Sequence, residues 1–285
     1  MTEKYFKCYN GDAIVKTNPA ELILKQIKTT DSVLRFLSEI NTGLVEKYTN
    51  ALIKRLENEV GKYSTDTGSL SFKSIESEIS NLKQNDKLTN LVIRYITKSL
   101  KLPENTEIAS EAIEITNYNR AFASERISYY RVKAFTEILG KEKGIELYTK
   151  ILGKIITEMY SKTKPNEKIT IKPHNEGAVK YWSKIGLGDF TFRFIDDNQC
   201  IYRFDKCITH EVLKELNDPD VAYIASCFFG DIPEFNSGRI IHMRRTQTLH
   251  HADFCDELYW DSREFKEPPE QPSLEFTRKI GKNKK

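Results

Sequence analysis

The chain has 285 residues, of which 39% are hydrophobic and 30% charged, enough to fill the core of one large domain or two modest ones. The formal net charge is +3, but the last ten residues carry five basic side chains and no acidic one, so the rest of the chain is close to neutral. This balance argues against a nucleic-acid-binding protein with a basic face. The lack of any apolar run of about 18 residues argues against a membrane-spanning helix.

The N-terminal segment and the cysteines indicate a cellular compartment. Residues 1–15 lack the apolar core of a secretory signal. The five cysteines are odd in number and irregularly spaced, as expected for thiols that stay reduced. We therefore expect a cytoplasmic protein.

The first half of the chain has the apolar spacing of long helices. The predicted helices run from an N-cap at Thr30 or Asp31 to about residue 63, from 71 to 100 with a break at 84–86, and from 127 to 161 with a bend at Gly140 or Gly144. Pro103 closes the second helix, since the residue before a proline is pushed out of helical geometry.

The second half of the chain combines short helices with strands. Strands are predicted at 190–196, 199–207, 237–249 and 252–260, and short helices at 177–186, 209–217 and 220–230. The first two strands flank a turn that contains Asp-Asn, which is typical of a β-hairpin. We therefore predict an α+β fold, in which long N-terminal helices are followed by an antiparallel sheet with short covering helices.

Three regions follow from this pattern. We predict a helical N-terminal region at 1–126 and an α+β domain at 127–263. Residues 264–285 follow as a disordered basic tail, because a proline-rich stretch precedes a run of basic residues. The helical region is a lid, the other layer of the core or a dimer face, so a homo-oligomer is one of the open alternatives.

The stretch 248–260, TLHHADFCDELYW, crowds reactive side chains into a predicted strand. Strand alternation puts Phe254, Asp256, Leu258 and Trp260 on one face, and Asp253, Cys255, Glu257 and Tyr259 on the other. We therefore predict that Cys255 is a partly exposed thiol facing a site, and that Asp256 turns toward the apolar face.

Two kinds of site fit the residues around this strand. Cys207 and His210 lie one helical turn apart and could bind zinc together with His250, His251 and Cys255, although the spacing is not that of a zinc finger. Alternatively, a cation beside Cys255 would lower the pKa of its thiol and make it a nucleophile. A cysteine that only fills the core is the third alternative. We predict no cofactor, with zinc or another divalent metal as the alternative.

An ordered series of short motifs runs through roughly residues 175–262. Its members are Cys207-Ile208, Glu211-Val212, Cys227, Arg245-Thr246-x-Thr248-Leu249 and Cys255-Asp256. In order and spacing the series resembles the L-2-amino-thiazoline-4-carboxylic acid hydrolase family. The chain departs from that pattern at Gly230, where the family usually has an aspartate that here follows as Asp231, and at Glu257-Leu258, where an aromatic residue and an arginine are usual.

The resemblance implies a hydrolase that opens a cyclic amidine or thiazoline bearing a carboxylate, at a C–N or C–S bond. The implied roles are Cys255 as nucleophile or metal ligand, His250 or His251 as base, Asp256 or Asp231 as orienting carboxylate, Arg245 as carboxylate-binding residue, and Cys207 and Cys227 as pocket residues. The layout is also similar to the vinyl-reductase-like small-molecule-binding domain. A non-catalytic binding module is therefore the alternative, and in both cases the expected partner is a small molecule.

Overall fold

A computed structural model of the chain describes residues 3–65, 73, 79–105, 107–108, 111–162, 165 and 167–280. In chain order the elements are β1 (Lys4–Lys7), β2 (Ile14–Thr17), α1 (Pro19–Asn41), α2 (Val45–Val60), α3 (Asp86–Ser99), β3 (Ile113–Thr116), α4 (Asn117–Leu139), α5 (Lys141–Ser161), α6 (Ile171–Lys184), β4 (Gly188–Phe194), β5 (Gln199–Cys207), α7 (Ile208–Leu213), α8 (Pro219–Ser226), α9 (Pro233–Ser237), β6 (Ile241–Arg244), β7 (Cys255–Asp261) and α10 (Leu274–Lys279). The predicted α+β fold, with long helices before an antiparallel sheet, is confirmed.

The chain forms two compact units. One is Ile14–Ile155, the helical unit, and the other is Met1–Ala13 with Ile156–Lys285, the sheet unit. The boundary predicted between residues 126 and 127 falls inside α4 instead. Because α4 packs against α2 and α3, the chain on both sides of that position belongs to the helical unit.

Capping residues set where helices begin in the helical unit. The side chain of Asn18 accepts a hydrogen bond from the backbone N–H of Glu21, and Pro19 occupies the first position of α1. The side chain of Thr116 caps α4 in the same way. The starts predicted near residues 30 and 127 are therefore wrong, since both helices begin at these caps, well before the predicted positions.

Glycine divides the predicted third helix. Gly140 has φ +81°, outside the helical region, so α4 ends before it and α5 begins after it. The predicted first helix is also two, α1 and α2, joined by a 3₁₀ turn at Thr42–Leu44. The predicted second helix begins only at its predicted break, where Asn85 caps α3. Most of its predicted first part, residues 66–72 and 74–78, lies outside the described residues. No helix among the described residues is both long and apolar enough to span a bilayer.

The sheet unit is built on five antiparallel strands in the order β1-β4-β5-β7-β6. The predicted hairpin corresponds to β4 and β5, and the last two predicted strands correspond to the shorter β6 and β7. Helix α6 covers one face, where Trp182 packs on the rings of Tyr202 and Phe204. The face that carries Ile201 and Leu258 is covered by the C-terminal segment.

That C-terminal segment is ordered up to residue 280, so the prediction of a disordered tail over 264–285 is wrong for this part. Phe276 of α10 and the adjacent Ile280 pack against Leu258 and Trp260. Their apolar side chains, spaced one helical turn apart, outweigh the basic composition that suggested disorder. Residues 281–285 lie outside the described residues.

Candidate functional site

Three cysteines that are far apart in sequence converge on the α6 face of the sheet. Cys207 ends β5, Cys227 follows α8 and Cys255 begins β7. Cys207 and Cys227 both lie near enough to Cys255 for a charge on either to raise the pKa of the Cys255 thiol. The resemblance implies that Cys207 and Cys227 line a pocket, but neither lines the cavity beside His210.

Burial keeps these thiols protonated. Desolvation raises the pKa of Cys255 well above its usual value, that of Cys227 to about 12, and that of Cys207 in the same direction. Cys255 is only 7% exposed, and its sulfur accepts the backbone N–H of Leu249 at 3.1 Å. The predicted partial exposure of this thiol is therefore wrong, because the loop before β7 folds over the sulfur. The nucleophilic thiolate form is disfavoured here.

Arg245 is held between two largely buried carboxylates. Its Nε lies 2.8 Å from Oδ1 of Asp231 and its Nη1 lies 3.2 Å from Oε1 of Glu257, and all three side chains are at most 13% exposed. Tyr223 donates its hydroxyl to Asp231, and Tyr259 donates its hydroxyl to Glu257, each at 2.9 Å. The guanidinium that was predicted to bind a substrate carboxylate thus already has two carboxylate partners.

Gly230 lies against the side chains of Arg245 and Met243. A Cβ atom at Gly230 would lie 2.6 Å from Nη2 of Arg245 and 2.5 Å from the terminal methyl of Met243. A side chain at 230 would therefore require the ends of the Met243 and Arg245 side chains to move. In this chain the carboxylate comes one residue later, from Asp231, which pairs with the same arginine.

Asp231 gives the sheet unit a pH-dependent stability. Desolvation raises its pKa from 3.8 to about 6, although Arg245 opposes the shift. Between pH 3.8 and about pH 6 the folded state keeps a proton on Asp231 that the unfolded state has lost. The free energy of unfolding therefore has its full contribution from this group below pH 4 and loses it as the pH rises through 6. We expect Asp231→Asn to remove this loss, which is on the order of 2 to 3 kcal/mol.

The measurement is urea unfolding of the wild type and the variant from pH 4 to pH 8, followed by tryptophan fluorescence. The matched control is Asp253→Asn, because the Asp253 side chain is 69% exposed. Parallel stability curves for the wild type and Asp231→Asn would contradict the raised pKa.

Asp256 turns away from the cysteines, as predicted from strand alternation, and anchors a loop. Its carboxylate accepts the backbone N–H groups of Thr246 and Gln247 at 2.9 and 2.8 Å. It also accepts the Thr246 hydroxyl and the side-chain amide of Gln271. With no exposed surface and all its partners inside the protein, Asp256 fixes the segment before the histidines.

A series of hydrogen bonds fixes the tautomers of two histidines. The hydroxyl of Ser226 lies 2.7 Å from the carbonyl of Ala222, which can only accept, so Ser226 donates there. Its oxygen then accepts Nε2–H of His250 at 3.1 Å, which leaves Nδ1 of that ring as an acceptor. Nδ1 of His210, 3.4 Å away, supplies the proton, so the Nε2 lone pair of His210 has no partner within the described part of the chain.

These two rings line a cavity of about 300 Å³. Its lining residues are His210, Leu213, Lys214, Asn217, Asp218, Pro219, Ala222 and His250. Desolvation lowers the pKa of both histidines, that of His250 to about 3, so both rings are neutral at pH 7. The other predicted base, His251, pairs instead with Asp220 at 2.9 Å and is 40% exposed.

The predicted site residues thus separate into distinct groups. Cys207, Cys227, Cys255, Arg245 and Asp231 come together, whereas His250 belongs to the cavity, His251 to the surface and Asp256 to the loop anchor. Within the described ranges, no group of three or more His, Cys, Asp or Glu side chains is arranged to hold a metal ion. The sequence interpretation used His210 only as a zinc ligand and missed Ser226. Four residues after Ala222 in a helix, Ser226 bonds back to the helix, but no local pattern predicts its contact with His250.

Comparisons with known proteins add no relatives. The chain matches no family model, no curated protein and no solved structure. Any functional conclusion therefore rests on the side chains of the sheet unit and on the order of the motifs.

Proposed function

We propose that this chain hydrolyses a small cyclic amidine bearing a carboxylate, in the cavity beside His210 and His250. One observation carries the proposal. The hydrogen bonds from Ala222 through Ser226 and His250 leave the Nε2 lone pair of His210 free in a residue that lines the 300 Å³ cavity. The reaction class comes from the resemblance to the thiazoline hydrolase family, and the choice of base comes from this geometry.

His210 acts as the general base in this proposal. Desolvation lowers the pKa of the ring, which is therefore neutral at pH 7 and can take a proton from water. His250 is a positioning residue, because it fixes the tautomer of His210 as the third member of a catalytic triad fixes its histidine. Ser226 in turn fixes His250.

The reaction on a 2-aminothiazoline ring then balances with one water molecule. His210 removes a proton from the water, whose oxygen bonds to C2 of the ring. The bond between C2 and the ring sulfur breaks, and the sulfur leaves as a thiolate that receives the proton from His210. One water is consumed, and one free thiol appears in the product.

Two charged side chains suit such a substrate. Lys214 lines the cavity and pairs with Glu211 at 2.8 Å, but its side chain is 47% exposed. An exposed ion pair is worth only about 0 to 1 kcal/mol, so a substrate carboxylate can displace Glu211. Asp218, also on the cavity wall, is a counterion for a protonated amidine.

The test is a panel of cyclic amidines, 2-aminothiazoline carboxylates among them, with product thiol measured after removal of the protein. His210→Gln is expected to lower kcat by about 100-fold or more at a similar KM, the size of a general-base effect. His251→Gln is the matched control, because that ring pairs with Asp220 outside the cavity, and it should keep full turnover. Cys255→Ala should also keep turnover.

Two results would refute the role of His210. One is a folded His210→Gln variant that works at the wild-type rate. The other is a folded Cys255→Ala variant without turnover, which would return the buried thiol to the centre of the mechanism.

A non-catalytic binding module is the second candidate. It is favoured by the raised pKa values of Cys207, Cys227 and Cys255, which leave no reactive thiolate at neutral pH. For such a module, a panel compound would raise Tm in a saturable way, since binding to the folded state stabilises it. No product would form during prolonged incubation.

A further inference from the structure

A second cavity in the sheet unit shares no lining residue with the first. Its volume is about 160 Å³, and it is lined by Pro165, Ile169, His174, Gly238, Arg239, Ile240 and Ile241. His174 and Arg239 are the ionisable residues of this wall, and the other side chains are apolar. The cavity therefore combines one cationic edge with a hydrocarbon surface.

Arg239 is positioned by a backbone carbonyl and an aromatic ring. Its Nε–H donates to the carbonyl of Ile241 at 3.3 Å, and its guanidinium carbon lies 4.3 Å from the centre of the Phe235 ring. In the part of the chain that the structure describes, this guanidinium has no carboxylate partner, and its terminal amino groups have no acceptor. Arg245, by contrast, holds two carboxylates. A half-buried cation that lacks a counterion favours an anionic ligand.

His174 supplies a neutral donor on the same wall. Its ring packs on Tyr259 with 5.5 Å between ring centres. Desolvation, with the nearby charge of Arg239, lowers the pKa of His174 to about 4, so the ring is uncharged at pH 7. Among the described residues, neither ring nitrogen has a hydrogen-bond partner. One ring N–H is thus available to a ligand.

We propose that this second cavity binds a short aliphatic carboxylate. The terminal N–H groups of Arg239 hold the two carboxylate oxygens, a geometry for which the planar guanidinium is suited. His174 donates to one of them. Ile169, Ile240 and Ile241 contact the alkyl chain, whereas the outer oxygens of a sulfate or phosphate would meet the same apolar surface without donors.

The experiment titrates acetate, propionate and butyrate, and separately sulfate and phosphate, into the full chain with isotopically labelled histidine. The His174 ring signals report occupancy and calorimetry gives the affinity. We expect saturable binding that tightens by up to about fourfold for each added methylene, the value for complete burial of that group. Arg239→Gln should weaken butyrate binding by at least about tenfold, as expected for loss of a bidentate charged contact.

Arg278→Gln is the matched control, because the Arg278 side chain lies in the same unit and is 57% exposed. It should bind butyrate like the wild type. Lys214→Gln should also do so, because it removes the cation that would bind a carboxylate in the first cavity and leaves this second cavity unchanged. Arg239→Lys keeps the charge without the forked donor geometry, so it should weaken binding severalfold even if Arg239→Gln fails to fold.

Three results would overturn the proposal. The first is the absence of any saturable change at His174. The second is sulfate or phosphate binding as tightly as butyrate, which indicates charge attraction alone. The third is an equal loss of affinity in Arg278→Gln and the Arg239 variants.

Discussion

Alanine in place of Asp256 is expected to lower the free energy of unfolding of the sheet unit by about 3 to 5 kcal/mol. The carboxylate is fully buried and accepts hydrogen bonds from two backbone N–H groups, the Thr246 hydroxyl and the Gln271 amide. Alanine would leave four donors without their acceptor. Each buried donor that stays unpaired costs about 1 to 3 kcal/mol. Water that enters the gap recovers part of this cost.

Urea unfolding followed by tryptophan fluorescence measures this effect in the right unit. Both tryptophans of the chain, Trp182 and Trp260, belong to the sheet unit. The matched control is Asp253→Ala, three residues earlier on an exposed side chain, which should change stability by less than about 0.5 kcal/mol. Asp256→Asn should fall between the two, since it keeps one acceptor but sets an amide donor among the others. Equal stabilities for the Asp253 and Asp256 variants would contradict the anchor role.

The stability test bears on the Cys-Asp pair that marks the family resemblance. Strand alternation sends Cys255 to the face with Arg245 and Asp256 to the opposite face, where it holds the loop that leads to His250. Asp256 therefore contributes to a site through the backbone that it fixes. A loss of turnover in Asp256→Ala would then be accompanied by a loss of stability.

Several parts of the fold could be predicted because they depend on neighbouring residues. The hairpin of β4 and β5 follows from alternating side chains around a turn, and the face assignments along β7 follow from the period of a strand. The predicted helix starts were wrong where one polar capping residue decides the start instead of the apolar repeat, as at Asn18 and Thr116. The prediction missed α10 for the opposite reason. Phe276 and Ile280 are stabilised by packing on the sheet, and the local sequence does not show that contact.

Only part of the candidate site could be predicted from the sequence. Local sequence and family order selected the cysteines, Arg245 and Asp231, which do come together. The exposure of Cys255 could not be predicted, because it depends on a loop that folds back over the sulfur. The hydrogen bond between Ser226 and His250 joins residues that are 24 positions apart in sequence, so no local pattern reveals it. The tautomer of His210 depends in turn on the contact of its ring with His250.

The arrangement assigns different physical tasks to the two groups of side chains. The cysteines are shielded from solvent, and the buried charge of Arg245 is compensated by its close pairing with Asp231 and Glu257. The two histidines are neutral, lie at a cavity and are linked by hydrogen bonds that fix their protons. A proton-transfer reaction needs the second set of properties, and His210 has them.

Methionine in place of Arg245 is expected to destabilise the sheet unit by about 3 to 5 kcal/mol, because removal of one partner leaves buried charges uncompensated. Asp231 and Glu257 would face each other without their shared cation, and the hydroxyls of Tyr223 and Tyr259 would remain as donors to them. Burial already raises the pKa of Asp231 to about 6, so its protonation relieves the repulsion and the loss should be smaller at pH 4 than at pH 8.

A triple variant separates lost packing from uncompensated charge. Arg245→Met combined with Asp231→Asn and Glu257→Gln removes every charge of the cluster, and neutral replacement of a buried ion pair often restores stability. We expect the triple variant to be more stable than Arg245→Met alone and less dependent on pH, in the same tryptophan-detected urea experiment. Arg278→Met, at an exposed arginine of the same unit, should stay near the wild type. If Arg245→Met instead matches the wild type at pH 8, the guanidinium is not compensating these carboxylates, and Arg245 would then be available for the substrate-binding role that the family resemblance implies.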